Sequence, residues 1–313
     1  MDVLLLSGLL ASGVRLATPL LFAAAGGLYS ERAGVINIAL EGMLLIGAFT
    51  GAAVTWYAGN PWIGLLAGMA AGFLAGLVYG WVTVYGRADQ IVAGTALNIL
   101  AAGLTATIGK PLFGVTGSTP GLPLESRFQP WAIPGLSDIP FLGPILFNHI
   151  PLVYLAVVVL LVTHVILART PVGLSLRAAG GAPDVADTAG IPVLRVRLLA
   201  VASGAALAAA GGVFLSIGHA SGFARNMAAG RGFIALAALI LGNWKPIPVL
   251  FAAALFGLGD AAAISLQGIE IPNLGTVPVQ FVQIVPYALT LVVLAGFAGR
   301  TRPPAALGKP YPE

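Results

Sequence analysis

The sequence of 313 residues contains no cysteine, and only 8% of its residues are charged. Without cysteine the chain has no disulfide and no thiolate ligand for a metal ion. Its three histidines are scattered, with no helical pair and no carboxylate at ligand spacing, so a metal site is not expected. The net charge of +4 is not gathered into a basic cluster with aromatic residues, which disfavours nucleic-acid binding.

What the chain has in abundance is apolar sequence. Hydrophobic residues make up 58% of it, and the mean hydropathy is +0.96, which excludes an ordinary soluble protein. A helix needs about 20 apolar residues to cross a bilayer. These features predict an all-α, multi-pass membrane protein, a single domain over residues 1–313. The candidate spanning helices are 35–57, 62–84, 91–109, 150–168, 198–217, 247–268 and 279–298.

Two further apolar segments are harder to assign. Segment 3–28 is interrupted by Arg15 and Pro19, and segment 232–242 is too short to span a bilayer. We expect either of them to be broken or re-entrant. With these two segments the expected number of transmembrane crossings is about eight to ten.

The basic residues predict the orientation of the chain. If successive helices cross the membrane in alternating directions, most of the basic residues fall on one side of it. That side is expected to be cytoplasmic. This places the loop 169–197 and the tail 300–313 in the cytoplasm, and the proline-rich segment 110–149 outside. The basic residues of the richer side are Arg32, Arg87, Arg169, Arg177, Arg195, Arg197, Arg300, Arg302 and Lys309.

Signatures of catalysis are scarce. The nearest approach to a phosphate-binding loop, from Gly103 to Lys110, has one residue too many between its glycines and a proline after its lysine. It also falls at the outer membrane boundary, away from cytoplasmic ATP. We therefore expect no enzymatic activity and no bound cofactor in this chain.

The loop 169–197 is polar sequence between two long apolar runs. Pro183 is suited to the first position of a helix, and Asp184 and Asp187 favour its positive end. Gly190 can end that helix in the left-handed conformation. The pattern predicts a helix of about two turns. So short a helix is ordered only by resting on its own domain or on a partner protein.

Polar residues inside the apolar runs are candidates for a substrate pathway. A charge near the middle of a bilayer costs about 2.5–3.5 kcal/mol, so it is expected to face protein or a water-filled cavity. Glu41 and Asp260 are the clearest cases. Asn37 precedes Glu41 by four residues and is expected to share its helix face. A hydrogen-bonded clamp between helices is an equal alternative for this pair.

Amide and aromatic side chains extend this set. Gln280, Gln283 and Tyr287 form a polar stripe on the last predicted helix, and Thr95 and Asn98 form a smaller one. Amides can pair with a nucleobase or with sugar hydroxyls, and aromatic rings can stack on a base. The same groups can also simply join helices. Two residues after the short segment 232–242 complete the candidates, Asn243 and Trp244.

Several stretches resemble one family. They are LYSERAGVINIALEGMLLIGAFTGA near residue 40, the loop 169–191, SGAALAAAGG at 203–212, and FIALAALILGNWKPIPVLFAAALFG at 233–257. The chain looks like the permease of a bacterial ABC importer. The resemblance is to the branched-chain amino acid, ribose and nucleoside permeases, and especially to the nucleoside branch that works with a basic membrane lipoprotein.

The resemblance implies that the short helix in loop 169–197 is the coupling helix, which docks on the ATPase subunit. It differs from the family pattern in having Gly181 and Ala182 where a Glu-Asn pair is common, which removes a side-chain cap. The family pattern for coupling falls on Arg177, Ala178, Gly180, Pro183, Ala186, Gly190 and Ile191.

The resemblance also implies an assembly in the bacterial inner membrane. It comprises this chain, a second and different permease subunit, a cytoplasmic ATPase that holds ATP and magnesium, and an extracytoplasmic solute-binding lipoprotein. The expected function is ATP-driven uptake of nucleosides by alternating access. Uptake of simple sugars or branched-chain amino acids is one alternative, and an ion-coupled secondary transporter that uses Glu41 and Asp260 is another.

Overall fold

The computed structural model shows a bundle of helices that matches the predicted all-α class. It describes residues 3–267, 270–271, 275–276, 284, 288, 291–292, 295–296 and 301–311. The helices are α1 (Val3–Arg32), α2 (Leu40–Ala58), α3 (Pro61–Gly80), α4 (Gln90–Thr107), α5 (Gly109–Phe113), α6 (Leu142–Leu146), α7 (Pro151–Arg169), α8 (Pro171–Gly181), α9 (Pro183–Thr188), α10 (Val193–Val213), α11 (Arg231–Leu241) and α12 (Pro246–Ser265).

Shorter elements complete the described part of the chain. Helices α3 and α10 each continue into a π-helical turn, at Trp81–Tyr85 and Phe214–His219. A 3-10 turn covers Leu124–Ser126. Four two-residue strands form two antiparallel pairs: β1 (Trp131–Ala132) with β2 (Asn148–His149), and β3 (Glu270–Ile271) with β4 (Gly275–Thr276).

Seven helical stretches among the described residues are long and apolar enough to cross a membrane. Six of them correspond to predicted spanning helices, and the seventh is α1. The predicted helix 279–298 lies outside the described residues. The short predicted segment 232–242 is α11, whose 11 residues reach about 16 Å, or roughly half of a 30 Å hydrocarbon core.

The prediction of a broken first segment was wrong. Helix α1 is continuous through Pro19, although proline cannot donate the usual hydrogen bond to the preceding turn. Dense packing against α10 and α12 holds the helix together on both sides of the proline. Arg15 is exposed and donates to the hydroxyl of Ser12 at 2.9 Å, so it does not disrupt the helix.

The second predicted helix begins later than expected. Residues 34–39 form an irregular segment in which Gly34 has a φ of 96°, and α2 starts only at Leu40. The expectation that Asn37 and Glu41 share a helix face was therefore wrong. The segment is held by the Tyr79 hydroxyl, which donates to the carbonyl of Ile36 at 2.6 Å.

Glycine and alanine let the central helices approach closely. Along α3 glycine recurs every fourth residue from Gly64 to Gly80, and this ridge packs against α2 and α10. A Cβ added at Gly76 would lie 2.8 Å from the Cα of Ala202, which shows how near the backbones are. Close packing of small residues is the usual means of helix association in lipid. Helices α1, α2 and α10 are consequently the most buried spanning helices.

The loop 169–197 and the tail lie together at one end of the bundle. Arg197 donates to the carbonyl of Lys309 at 2.9 Å and to that of Ala179 at 3.1 Å. At the other end the proline-rich segment 110–149 contacts the chain after α10, where the amide of Thr119 donates to Phe223 at 3.1 Å. The sequence assigned these segments to opposite faces, and which face is cytoplasmic stays a prediction.

Candidate substrate cavity and coupling surface

A cavity of about 800 Å³ lies between α2, α4, α11 and α12. Four residues predicted from the sequence meet on its wall, on three different helices: Glu41, Thr95, Asn98 and Asp260. The rest of the wall is largely apolar. It is formed by Leu45, Ile99, Ala102, Ala229, Gly230, Phe233, Ile234, Ala263 and Ile264, with the polar Asn226, Arg231 and Gln267.

Glu41 holds the beginning of α11. Its two carboxylate oxygens accept hydrogen bonds from the amides of Gly230, at 2.8 Å, and Gly232, at 2.7 Å. A carboxylate at a helix N-terminus satisfies otherwise unpaired amides and interacts favourably with the helix dipole. A Cβ at Gly232 would lie 2.6 Å from the Cα of Glu41, so this close approach requires glycine. The clamp anticipated for Glu41 is present, and it forms part of the cavity wall.

Asn98 is also bound within the fold. Its side-chain oxygen accepts a hydrogen bond from the amide of Gly42 at 2.7 Å, and its nitrogen donates to the carbonyl of Ile38 at 3.0 Å. These bonds tie the middle of α4 to the irregular start of α2. Thr95, one turn earlier on α4, is exposed, and its hydroxyl donates to the carbonyl of Ile91 in its own helix at 2.8 Å.

Asp260 and Arg231 bring opposite charges to the same cavity. Asp260 is 9% exposed on α12, and Arg231 lies near enough to attract its carboxylate electrostatically. The guanidinium donates to the carbonyls of Met227 and Ala228, each at 3.3 Å, which fixes it at the start of α11. Sequence analysis did not single out Arg231 as a cavity residue. The signal that could have found it is the short apolar run that follows it.

The remaining predicted pathway residues lie elsewhere. Asn37 is fully buried, and its amide nitrogen donates to the hydroxyl of Ser30 at 3.2 Å. Trp244 donates through its indole nitrogen to Glu31 at 2.5 Å, and Asn243 accepts a hydrogen bond from the amide of Arg302 at 2.7 Å. Three further predicted residues lie outside the described part of the chain: Gln280, Gln283 and Tyr287.

The two left-handed residues after α11 mark a tight turn. Asn243 and Trp244 have φ values of 50° and 52°, a conformation that costs free energy for residues other than glycine. The contacts with Glu31 and Arg302 hold the turn in place. The end of α11 is thus tied to the end of α1 and to the tail, while its beginning is tied to Glu41.

The loop 169–197 contains the predicted short helix, α9, and one that was not predicted, α8. Helix α9 begins at Pro183, and no side chain caps it, as the missing Glu-Asn pair suggested. It ends at Thr188, and Gly190 follows two residues later with a φ of 82°. The amide of Gly190 donates to Asp187 and that of Ile191 to Ala186, the pairing of a Schellman motif.

The structure separates the predicted coupling residues into inner and outer ones. Ala186 is 3% exposed and packs with Ala179 and Val193, so it faces the chain's own domain. Gly180 is likewise buried, while Pro183, Ala178 and Ile191 are half-buried and Arg177 and Gly190 are exposed. The outward face of α9 is apolar at its centre, because Val185 is 68% exposed. Sequence analysis did not single out Val185.

The comparison with known families decides what kind of protein this is. Residues 9–294 match the family described as "Branched-chain amino acid transport system / permease component". The chain belongs to this permease family. It is 42% identical over 303 residues to the guanosine ABC transporter permease protein NupQ of Bacillus subtilis (strain 168), with 94% of this chain and 93% of the relative covered.

Two further relatives carry different substrate names. The nucleoside ABC transporter permease protein NupC of Lactococcus lactis subsp. cremoris (strain MG1363) is 37% identical, with 94% of this chain and 93% of the relative covered. The putative glucose ABC transporter permease protein TsgC13 of Haloferax volcanii (strain ATCC 29605) is 35% identical with the same coverage. No solved structure matches the chain significantly.

These findings confirm the family predicted from the sequence. The protein is an ABC permease subunit, a multi-pass membrane protein whose role in the transporter is translocation. The described cavity lies among its spanning helices, and α9 lies at one end of the bundle, joined to α10. The ion-coupled secondary transporter, considered as an alternative, is set aside by membership of the ABC permease family.

Proposed function

We propose that this permease subunit imports nucleosides across the bacterial cytoplasmic membrane by ATP-driven alternating access. The observation that carries the proposal is the cavity of about 800 Å³, whose wall combines apolar side chains with a few polar groups. Volumes of about 300–1,000 Å³ and such a wall are typical of small-molecule sites. The names of two relatives, a guanosine and a nucleoside permease, support the choice of substrate.

The proposed assembly is that expected from the family. This chain pairs with a second, different permease subunit, a cytoplasmic ATPase binds ATP and magnesium, and an extracytoplasmic lipoprotein delivers the substrate. Helix α9 docks in the ATPase with Val185 at the centre of its contact face. No cofactor binds to this chain, because the free energy for transport comes from ATP hydrolysis on the partner.

Hydrogen bonds of the tail support a route by which movement at the ATPase contact reaches the cavity. The tail joins loop 169–197 to the rest of the bundle, since the amide of Ala306 donates to Gly180 at 2.9 Å. The same tail reaches Asn243 at the end of α11 through Arg302. In the proposed mechanism, movement of α9 displaces the loop 169–197, and the tail carries this displacement to α11, whose beginning forms the cavity wall with Glu41. Alternating access requires two arrangements of such an element.

Sugar uptake is the second candidate, because one relative is named as a putative glucose permease. Glucose and the common ribonucleosides share a sugar ring with hydroxyls on neighbouring carbons. A cavity with polar groups on one side and apolar side chains on the other could hold either. Size favours the nucleoside, whose base would cover the apolar wall around Phe233 and Ile234.

Uptake by cells tests the proposal. The chain is expressed with the neighbouring transporter subunits, and initial uptake of labelled guanosine, uridine, glucose and leucine is compared with that of cells lacking only this chain. We expect the initial uptake of both nucleosides to require this chain. The part of the uptake rate that is lost without the chain should be at least tenfold smaller for glucose and leucine than for the nucleosides. Dependence of glucose or leucine uptake alone would contradict the nucleoside assignment.

A further inference from the structure

The polar side chains of the cavity differ in whether they already form hydrogen bonds within the protein. Both carboxylate oxygens of Glu41 accept backbone amides, and both ends of the Asn98 amide are hydrogen-bonded. The Asp260 carboxylate is different, since no donor within the described residues hydrogen-bonds to it. It is nonetheless only 9% exposed, and that small exposed part lies on the cavity wall.

Burying a carboxylate that accepts no hydrogen bond destabilises the folded protein, so such a residue in a spanning helix is a candidate functional residue. Removal from water without a hydrogen bond disfavours the charge, and the spanning helix α12 offers no compensating donor from its own backbone. Arg231 supplies attraction from across the cavity wall, but its Nη1 donates to two backbone carbonyls of its own turn. The carboxylate oxygens of Asp260 are therefore available to accept hydrogen bonds from a molecule bound in the cavity.

We propose that Asp260 determines specificity by accepting hydrogen bonds from both hydroxyls of the vicinal diol of the substrate's sugar. This inference rests on the proposed function of nucleoside import. The two oxygens of a carboxylate match two neighbouring O–H donors, and hydrogen bonds to a charged acceptor are about twice as strong as neutral ones. Attraction by Arg231 favours the ionised form of the carboxylate, and the apolar residues of the wall accommodate the base.

The geometry favours the diol over the base as the partner of Asp260. Phe233 is 49% exposed and lines the same cavity with Ile234, offering a flat apolar surface to an aromatic ring. Asp260 and Arg231 line this cavity together, and Arg231 is near enough to attract the Asp260 carboxylate electrostatically. A nucleoside bound with its base on Phe233 would present its sugar to this pair.

Competition between substrate analogues tests the proposal. In cells with the complete transporter, labelled guanosine uptake is measured against unlabelled guanosine, 2′-deoxyguanosine and 3′-deoxyguanosine. For the wild type we expect each deoxy analogue to compete about tenfold less well than guanosine, because one hydrogen bond to a charged acceptor is lost. In Asp260→Asn we expect this preference to fall to about twofold or less. The solute-binding lipoprotein is the same in both strains, so a difference between wild type and Asp260→Asn reports on the permease.

Two matched variants separate specificity from general damage. Glu41→Gln removes the other acidic side chain of the cavity, and it should lower uptake without changing the preference for the diol. Asp260→Glu keeps the carboxylate and should retain the preference, provided that membrane abundance is normal. If Asp260→Asn does not reach the membrane, Asp260→Glu becomes the test of the proposal. Loss of the diol preference in Asp260→Glu at normal membrane abundance would then count against it.

The outcomes distinguish this proposal from the function on which it rests. An unchanged preference in Asp260→Asn, or no preference in the wild type, overturns the role of Asp260 while nucleoside import stands. Unlabelled inosine, which lacks the 2-amino group of guanosine, is added as a fourth competitor. If Asp260→Asn changes competition by inosine relative to guanosine and leaves the diol preference unchanged, the proposal is overturned in favour of a contact with the base. Failure of the wild type to import any nucleoside overturns the proposed function itself.

Discussion

Replacing Glu41 with alanine is expected to lower initial nucleoside uptake at least tenfold, with the permease still present in the membrane. The substitution leaves the half-buried amide of Gly230 and the buried amide of Gly232 without their acceptor. Each unpaired buried group costs about 1–3 kcal/mol. The beginning of α11 then loses its fixed position in the cavity wall. Uptake assays normalised to permease abundance in membrane fractions measure the effect.

Two variants control for the loss of a carboxylate as such. Glu41→Gln keeps one acceptor oxygen and should retain an intermediate rate, since it can still satisfy one of the two amides. Glu125 is an exposed acidic residue of the segment 110–149, and Glu125→Ala should transport at the wild-type rate. Wild-type uptake by Glu41→Ala at normal abundance would show that the clamp on α11 has no part in transport.

Replacing Val185 with arginine is expected to abolish transport by uncoupling the permease from the ATPase. Val185 is 68% exposed at the centre of α9, so we expect the substitution to have little effect on folding. An apolar contact face that is buried on docking would instead have to bury an unpaired charge, which costs several kcal/mol. We expect uptake to fall more than tenfold, and the stimulation of ATP hydrolysis by substrate-loaded lipoprotein to be lost.

The matched control is Val172→Arg on α8, because Val172 is similarly exposed, at 62%, but lies outside α9. It should retain both uptake and ATPase stimulation. Ala186→Leu is expected to behave differently from either, since Ala186 is buried and a larger side chain should lower membrane abundance. Normal ATPase stimulation in Val185→Arg would refute docking through this face of α9.

The sequence predicted well those features that depend on neighbouring residues. Pro183 and Gly190 marked the two ends of α9, because capping and the left-handed conformation are local properties. The apolar runs likewise marked six spanning helices. Sequence could not tell which face of α9 points outward, because Ala186 and Val185 are both apolar and only packing distinguishes a domain's core from a partner surface.

The site was predicted in part for a similar reason. Glu41 and Asp260 are conspicuous as acidic residues in apolar runs, whereas the amides that bind Glu41 come some 190 positions later in the chain. Such long-range contacts have no local signature. The continuity of α1 through Pro19 was missed because neighbouring helices, rather than the helix's own sequence, stabilise it.

The central claim is that the cavity between α2, α4, α11 and α12 is the nucleoside pathway. Because this chain has no cysteine, a single one can be introduced without background labelling of the chain itself. We would measure the rate at which a water-soluble thiol reagent labels Thr95→Cys, with and without saturating guanosine in the assembled transporter. Val92→Cys is the control, since Val92 is 67% exposed on α4 but outside the cavity wall. Guanosine should slow labelling of Thr95→Cys severalfold and leave Val92→Cys unchanged, whereas equal labelling of Thr95→Cys in an actively transporting complex would contradict the account.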